Sequence, residues 1–230
     1  MRHSCVRGLA AAALLIAAAL TPASASEGSA RDKLWHIVTS CIVPTDADYC
    51  RRCATPRADS ACAQNRRCED TTEVWGETDE FVAIRDVKMC SCPAGFVHGL
   101  ALPRARVRGI EASPLPQGIW AFAWGVAQGK IAEESTIALV VNSVRTRTQD
   151  QLHVHLVRLR EDARQSFSGR TASVPRLDEV WTTASQLAAD RPSLKDYSVL
   201  VARDLKGAFM VLVESNDKSV ERAYTQRICR

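Results

Sequence analysis

The sequence runs to 230 residues, 46 % of them hydrophobic, with 30 Lys and Arg against 26 Asp and Glu. That length allows a substantial core. The charge balance, about +2 once the two arginines of the N-terminal leader are set aside, gives no electrostatic reason for a nucleic-acid partner, and none is expected.

The leader is the first recognisable segment. Arg2 and Arg7 precede an apolar run from Leu9 to Leu20, which is followed by Ala23-Ser24-Ala25, a small-x-small cleavage pattern. Residues 1–25 read as an export signal. An uncleaved anchor is the rival reading, although the run is short for a spanning helix of about 20 residues. No later stretch is apolar for long enough to span a membrane. Cys5 lies ahead of the apolar run, and eight cysteines follow it: Cys41, Cys50, Cys53, Cys62, Cys68, Cys90, Cys92 and Cys229. An even number in an exported chain points to disulfides, whose connectivity the spacing leaves open. A zinc site built on Cys50-x-x-Cys53 is the alternative. Cys90 and Cys92 point to opposite faces of an extended segment and so are expected to have separate partners.

Residues 30–43 carry Leu34, Trp35, Ile37, Val38 and Cys41 at helical spacing, and Pro44 ends the pattern. Residues 44–74, rich in cysteine and arginine and without periodicity, read as a stapled loop region. Residues 80–87 and 95–103 read as strands, with the cysteine pair between them. His98 lies in the second, where a half-buried, hydrogen-bonded histidine is commoner than a ligand. Arg104, Arg106 and Arg108 alternate after it, suited either to phosphate or to plain solvent exposure. Residues 117–132 read as a helix with Trp120 and Trp124 one turn apart, facing either the core or a membrane. The five apolar residues 137–141 suit a strand covered on both faces. A short helix is expected within 161–168 and a longer one over 177–187. Residues 197–203 and 207–213 form a second hairpin. The class is α+β, an antiparallel sheet with flanking helices.

Between two apolar runs lies Asn142-Ser143-Val-Arg145-Thr-Arg147-Thr148-Gln149-Asp-Gln151-Leu-His153-Val-His155. In an extended segment Gln151, His153 and His155 share one face, and Leu152, Val154 and Leu156 the other. Two surface histidines, a pair of metal ligands, or an imidazole nucleophile with a helper at phosphorus all fit this spacing. The neighbours favour the last: Asn142, Ser143, Thr148 and Gln149 with Arg145 and Arg147 suit phosphate oxygens and are poor company for a divalent cation.

The run Gln151-Leu-His153-Val-His155-Leu-Val157 resembles the histidine-triad signature, with Gln151 in place of the first histidine. More closely, Val141-Asn-Ser, Arg147-Thr-Gln149 and the His-x-His strand resemble the bacterial CDP-diacylglycerol pyrophosphatases. So do the leader, Leu100-Ala-Leu-Pro103, the helix with Trp120 and Trp124, and Cys229 near the C-terminus. The cysteine-rich stretch from Cys50 to Cys68 has no counterpart in that pattern. The resemblance implies a histidine-triad-like hydrolase domain over residues 26–230, with a cysteine-rich insertion around 44–74. Its activity would be hydrolysis of CDP-diacylglycerol to CMP and phosphatidate, at a membrane surface, by an exported periplasmic enzyme. It further implies His153 as nucleophile, forming a CMP-histidine intermediate, and His155 as donor to a non-bridging oxygen. Asn142, Ser143, Thr148, Gln149 and Gln151 would line the phosphate site, with no metal and no cofactor required. A nucleotidyl hydrolase or transferase acting on a soluble nucleotide, and an exported metal- or lipid-binding module without turnover, are the alternatives.

Overall fold

The computed structural model describes residues 30–190, 196–215 and 219–229. The expected export segment, residues 1–25, and Cys5 lie outside them. In chain order the elements are α1 (Lys33–His36), α2 (Tyr49–Arg52), β1 (Val74–Glu77), β2 (Phe81–Arg85), β3 (His98–Pro103), α3 (Ile119–Lys130), β4 (Ile137–Val141), β5 (Val154–Arg158), β6 (Arg170–Val174), α4 (Val180–Ala189), β7 (Ser198–Arg203), β8 (Phe209–Glu214) and α5 (Val220–Tyr224), joined by short 3₁₀ turns. All eight strands pair antiparallel in one sheet of order β1-β2-β3-β5-β4-β7-β8-β6. The α+β expectation holds.

Strand parity explains the layers. On one face Ala83, Ala101, Leu139, Val154, Leu156, Val199 and Val211 pack against α3 and α4. There Trp120 meets Trp181 and Trp124 meets Phe209, with ring centroids 4.8 and 5.0 Å apart, so both tryptophans of α3 serve the core. The opposite face has two covers. Over β2 and β3, Val82, Ile84, Leu100 and Leu102 are roofed by Leu34, Ile37, Val38, Ile42 and Tyr49. Over β4 and β7, Ala138, Val140, Leu200 and Ala202 are roofed by Val220 and Tyr224 of α5. Asp86, His98, Asn142 and His155 share the parity of this second face. They fall in the gap between its two apolar covers.

The cysteines pair as Cys41–Cys53, Cys50–Cys62, Cys68–Cys90 and Cys92–Cys229. The zinc alternative is thereby corrected, and Cys90 and Cys92 do take different partners. The N-terminal helix is less regular than its spacing suggests: a 3₁₀ turn at Ala30–Asp32, α-helix over Lys33–His36, then π-helical turns over Ile37–Cys41. Its end is pinned by the bond from Cys41 to Cys53. The expected helix within 161–168 is a single 3₁₀ turn at Ala163–Gln165. Two edge strands were not foreseen. β1 and β6 are short and largely polar outward, so they carry little periodic signal.

Candidate active site

β5 begins at Val154, and the extended residues ahead of it carry His153 into the same gap as His155. Both imidazoles line a cavity of about 200 Å³. One wall is the N-terminal helix, with Lys33, Leu34 and Ile37. A second comes from the cysteine-rich segment, with Thr55, Glu69, Thr71 and Thr72. A third comes from the end of β2, with Asp86, Val87 and Lys88, and Thr148 and Gln149 stand beside the histidines. The two rings are 4.9 Å apart between centroids and inclined at 70°.

His153 is 6 % exposed, and its Nδ1 lies 2.7 Å from the carbonyl oxygen of Gln151. A carbonyl can only accept, so Nδ1 carries the proton and donates. In the neutral ring Nε2 therefore keeps its lone pair. Burial pushes the His153 pKa down, which favours that neutral form.

His155 is held at both nitrogens. Its Nδ1 lies 3.1 Å from His98 Nε2, and its Nε2 lies 3.3 Å from Asn142 Nδ2 and 3.4 Å from Glu221 Oε2. Asn142 is fixed in turn, donating to Glu221 Oε2 at 3.0 Å and accepting from Ser219 Oγ at 3.1 Å. Desolvation drives the His155 pKa well below its ordinary value, and burial lowers that of His98 as well. Burial opposes ionisation of Glu221, but the Lys88 ammonium, 2.9 Å away, offsets it and favours the carboxylate, so the Glu221 pKa lies below its usual range. His98 Nε2 is also 3.4 Å from both Asp86 Oδ2 and Glu221 Oε1. Buried carboxylates beside neutral imidazoles are costly and mark a working site more often than a structural one.

Four of these groups were not foreseen. His98 looked like an isolated core histidine, yet β3 pairs with β5 and places it beside His155. Asp86, Lys88 and Glu221 come from a strand end and a five-residue helix, and no local spacing links them to the histidines.

Of the residues expected to line the phosphate site, Thr148 and Gln149 do reach the cavity wall. The Gln149 amide is already committed, accepting from Leu34 N at 3.0 Å and donating to Ala30 O at 2.9 Å. Gln151 is engaged elsewhere: its side chain donates to the carbonyls of Pro103 and Ala105 and accepts from Val107 N, so it ties down the 103–107 segment. Ser143 is engaged as well. Its N–H donates to Ser198 Oγ and its hydroxyl meets Thr146, away from the cavity wall. Asn142 reaches the site through His155 and not through the wall. Arg147 pairs with Glu111, Arg145 with Asp196, Arg104 with Glu77, and Arg106 with Asp32, so these guanidiniums are occupied elsewhere. Three cations border the cavity: Lys33, Arg85, whose guanidinium pairs with Glu73, and Lys88, which lies against Glu221 beside His98.

The model of the family described as CDP-diacylglycerol pyrophosphatase matches residues 29–191, a span that includes α1, His98, His153, His155 and Lys88. No curated protein matches the chain. With most of its length matched, the chain belongs to the CDP-diacylglycerol pyrophosphatase family, hydrolases that cleave a phosphoric anhydride.

Proposed function

We propose that this hydrolase cleaves CDP-diacylglycerol by double displacement through His153. The observation that carries this is the bond from His153 Nδ1 to the Gln151 carbonyl, which leaves Nε2 bare and facing the cavity. Nε2 attacks the cytidylyl phosphorus, the bond to the bridging oxygen breaks, and phosphatidate departs as an anion. The product ring keeps its Nδ1 proton against the carbonyl. It is therefore a cationic phosphoramidate, and nitrogen leaves readily when water attacks, giving CMP and regenerating the neutral imidazole.

Phosphatidate needs no strong acid to leave, so positioning and charge stabilisation dominate. Lys88 is the group we assign to the charge building on the phosphoryl oxygens, because its ammonium borders the cavity and its stem is partly exposed. His155, with both nitrogens engaged in the resting site, would reach a non-bridging oxygen only by exchanging its contact with Asn142. Its proposed part is to carry a proton between the attacking water and the buried pair of His98 and Glu221.

A substrate with two acyl chains supports action at a membrane surface, and the leader at residues 1–25 supports export to the periplasm. The cysteine-rich segment packs through Tyr49 and Cys53 onto β2 and β3 and shares the cavity with the histidines, which supports residues 26–230 working as one catalytic unit with an insertion at 44–74. The stereochemical course tests the chemistry. With a cytidylyl phosphorus made chiral by sulfur and oxygen-18, two in-line displacements give net retention, whereas direct attack by water gives inversion and defeats the proposal.

A further inference from the structure

We propose that Asp86, His98 and His155 form a site for a divalent transition metal of the zinc class, and that occupation of it blocks the hydrolase by taking His155. Asp86 Oδ2 lies 3.4 Å from His98 Nε2, and His98 Nε2 lies 3.1 Å from His155 Nδ1. Among the described residues these three are the group whose ligand atoms all fall within 4.8 Å of one another, and all three are buried. Bonds of about 2.0–2.1 Å to nitrogen and oxygen in a tetrahedral shell put neighbouring ligand atoms about 3.3 Å apart. Two of the three spacings already match, and the third, between Asp86 and His155, lies within 4.8 Å.

The surroundings are those a metal-bound histidine requires. The ion would sit where a proton now lies between His98 and His155, and that proton would move to the far nitrogen of the ring that holds it, leaving each neutral ring protonated on the nitrogen away from the metal. For His155 that nitrogen is Nε2, which faces Glu221 Oε2 at 3.4 Å, the carboxylate behind an imidazole that commonly backs a metal ligand; the Asn142 amide, 3.3 Å from the same nitrogen, would then give up that contact and keep its bond to Glu221. Asp86 is oriented as well: its Oδ1 accepts from Lys88 N at 2.9 Å, leaving Oδ2 toward His98. Two buried carboxylates, Asp86 and Glu221, face one ammonium, Lys88, so the cluster has negative charge to spare for a cation. The cysteines do not compete, because all eight that follow the leader are in disulfides. Three protein ligands leave a position open toward water or a phosphate oxygen.

The inference goes beyond hydrolysis and does not rest on the histidine nucleophile. Its test uses tag-free full-length protein stripped with chelator, titrated with cobalt(II) and then zinc(II). One cobalt per chain, with the strong visible bands of a low-coordinate ion displaced by one zinc, is expected, along with at least a tenfold fall in turnover at full occupancy. His98→Gln and Asp86→Asn should each weaken binding at least tenfold. X-ray absorption on the zinc-loaded wild type decides the matter if those variants fail to fold, since it must show two imidazoles and at least one oxygen in the shell. Unsaturable binding, a one-to-one site undisturbed in both folded variants, or a shell without two imidazoles overturns the proposal. Undiminished turnover at full occupancy overturns its blocking part. Turnover by the stripped protein is assayed separately, so failure of the metal site leaves the hydrolase reading standing.

Discussion

The Nδ1–H of His153 donates to the backbone carbonyl of Gln151 at 2.7 Å, while the Gln151 side chain turns away to hold the backbone of Pro103, Ala105 and Val107. The residue that replaces the first histidine of the triad pattern therefore orients His153 with its main chain. Gln151→Ala should cost about 2–3 kcal/mol of stability through three lost, largely buried hydrogen bonds, read as a lower denaturant midpoint. Its KM and kcat, measured well below the unfolding transition, should stay within about threefold of wild type. A large rise in KM with unchanged stability would instead make the amide a phosphate ligand.

The acid limb of the rate should reflect the buried imidazole. Burial lowers the His153 pKa, so the free base persists as pH falls past the ordinary value of about 6.5, and activity drops only on passing through the lower, folded value. In metal-free protein the half-point of kcat/KM on the acid side should lie below about pH 6.5. Glu221 favours the imidazolium of His153, so Glu221→Gln should move that limb to still lower pH while reducing kcat by about 10- to 100-fold. A limb that moves upward contradicts this electrostatic picture.

Arg147 is buried and grips Glu111 through both of its terminal nitrogens, and does not face the cavity. The backbone of Gly109 passes so close that a Cβ there would meet the guanidinium, at a φ of +60° that already disfavours a side chain. Arg147→Ala should destabilise the fold by about 2–3 kcal/mol, less than a fully buried pair because Glu111 is half exposed. Its KM for CDP-diacylglycerol should be unchanged. A selective KM effect would return Arg147 to the phosphate site.

The Cys68–Cys90 bond joins two walls of the cavity, one bearing Glu69 and Thr71, the other Asp86 to Lys88. The Cys92–Cys229 bond closes a separation of 137 residues at the far end of the chain. Replacing the second pair by serine should cost more stability, about 4–5 kcal/mol on chain-entropy grounds against about 3 for the first. Replacing the first should raise KM more, by about 3- to 10-fold, because it frees Lys88 from its position. Thermal melts and steady-state kinetics on the two double variants separate these effects, and the reverse ranking in KM would remove the disulfide from any part in shaping the site.

Much of the architecture is legible in the sequence because apolar alternation and cysteine number are local signals. The runs 137–141 and 197–203 appear as strands, and the spacing of Trp120 and Trp124 appears as one face of α3, which the structure turns to the core. The His153 and His155 face is local in the same way. The rest of the site is assembled across the sheet, and its contacts have no signature within any window. His98 meets His155 across 57 positions, and Glu221 meets Asn142 across 79. Donor chemistry alone does not reveal that Ser143, Gln151 and Arg147 bond within the protein, since hydroxyls, amides and guanidiniums that suit phosphate suit backbone carbonyls and carboxylates equally well.

The measurement closest to the central claim is capture of the nucleotide on the enzyme. CDP-diacylglycerol labelled in the cytidine is mixed with enzyme for a single turnover and quenched in base, which spares phosphoramidates, and the digested protein is mapped for label. The account predicts label on His153 that is released as CMP by acid, and neither label nor appreciable turnover in His153→Ala. Turnover by the wild type with no label at any mixing time, or normal turnover by His153→Ala, would contradict it.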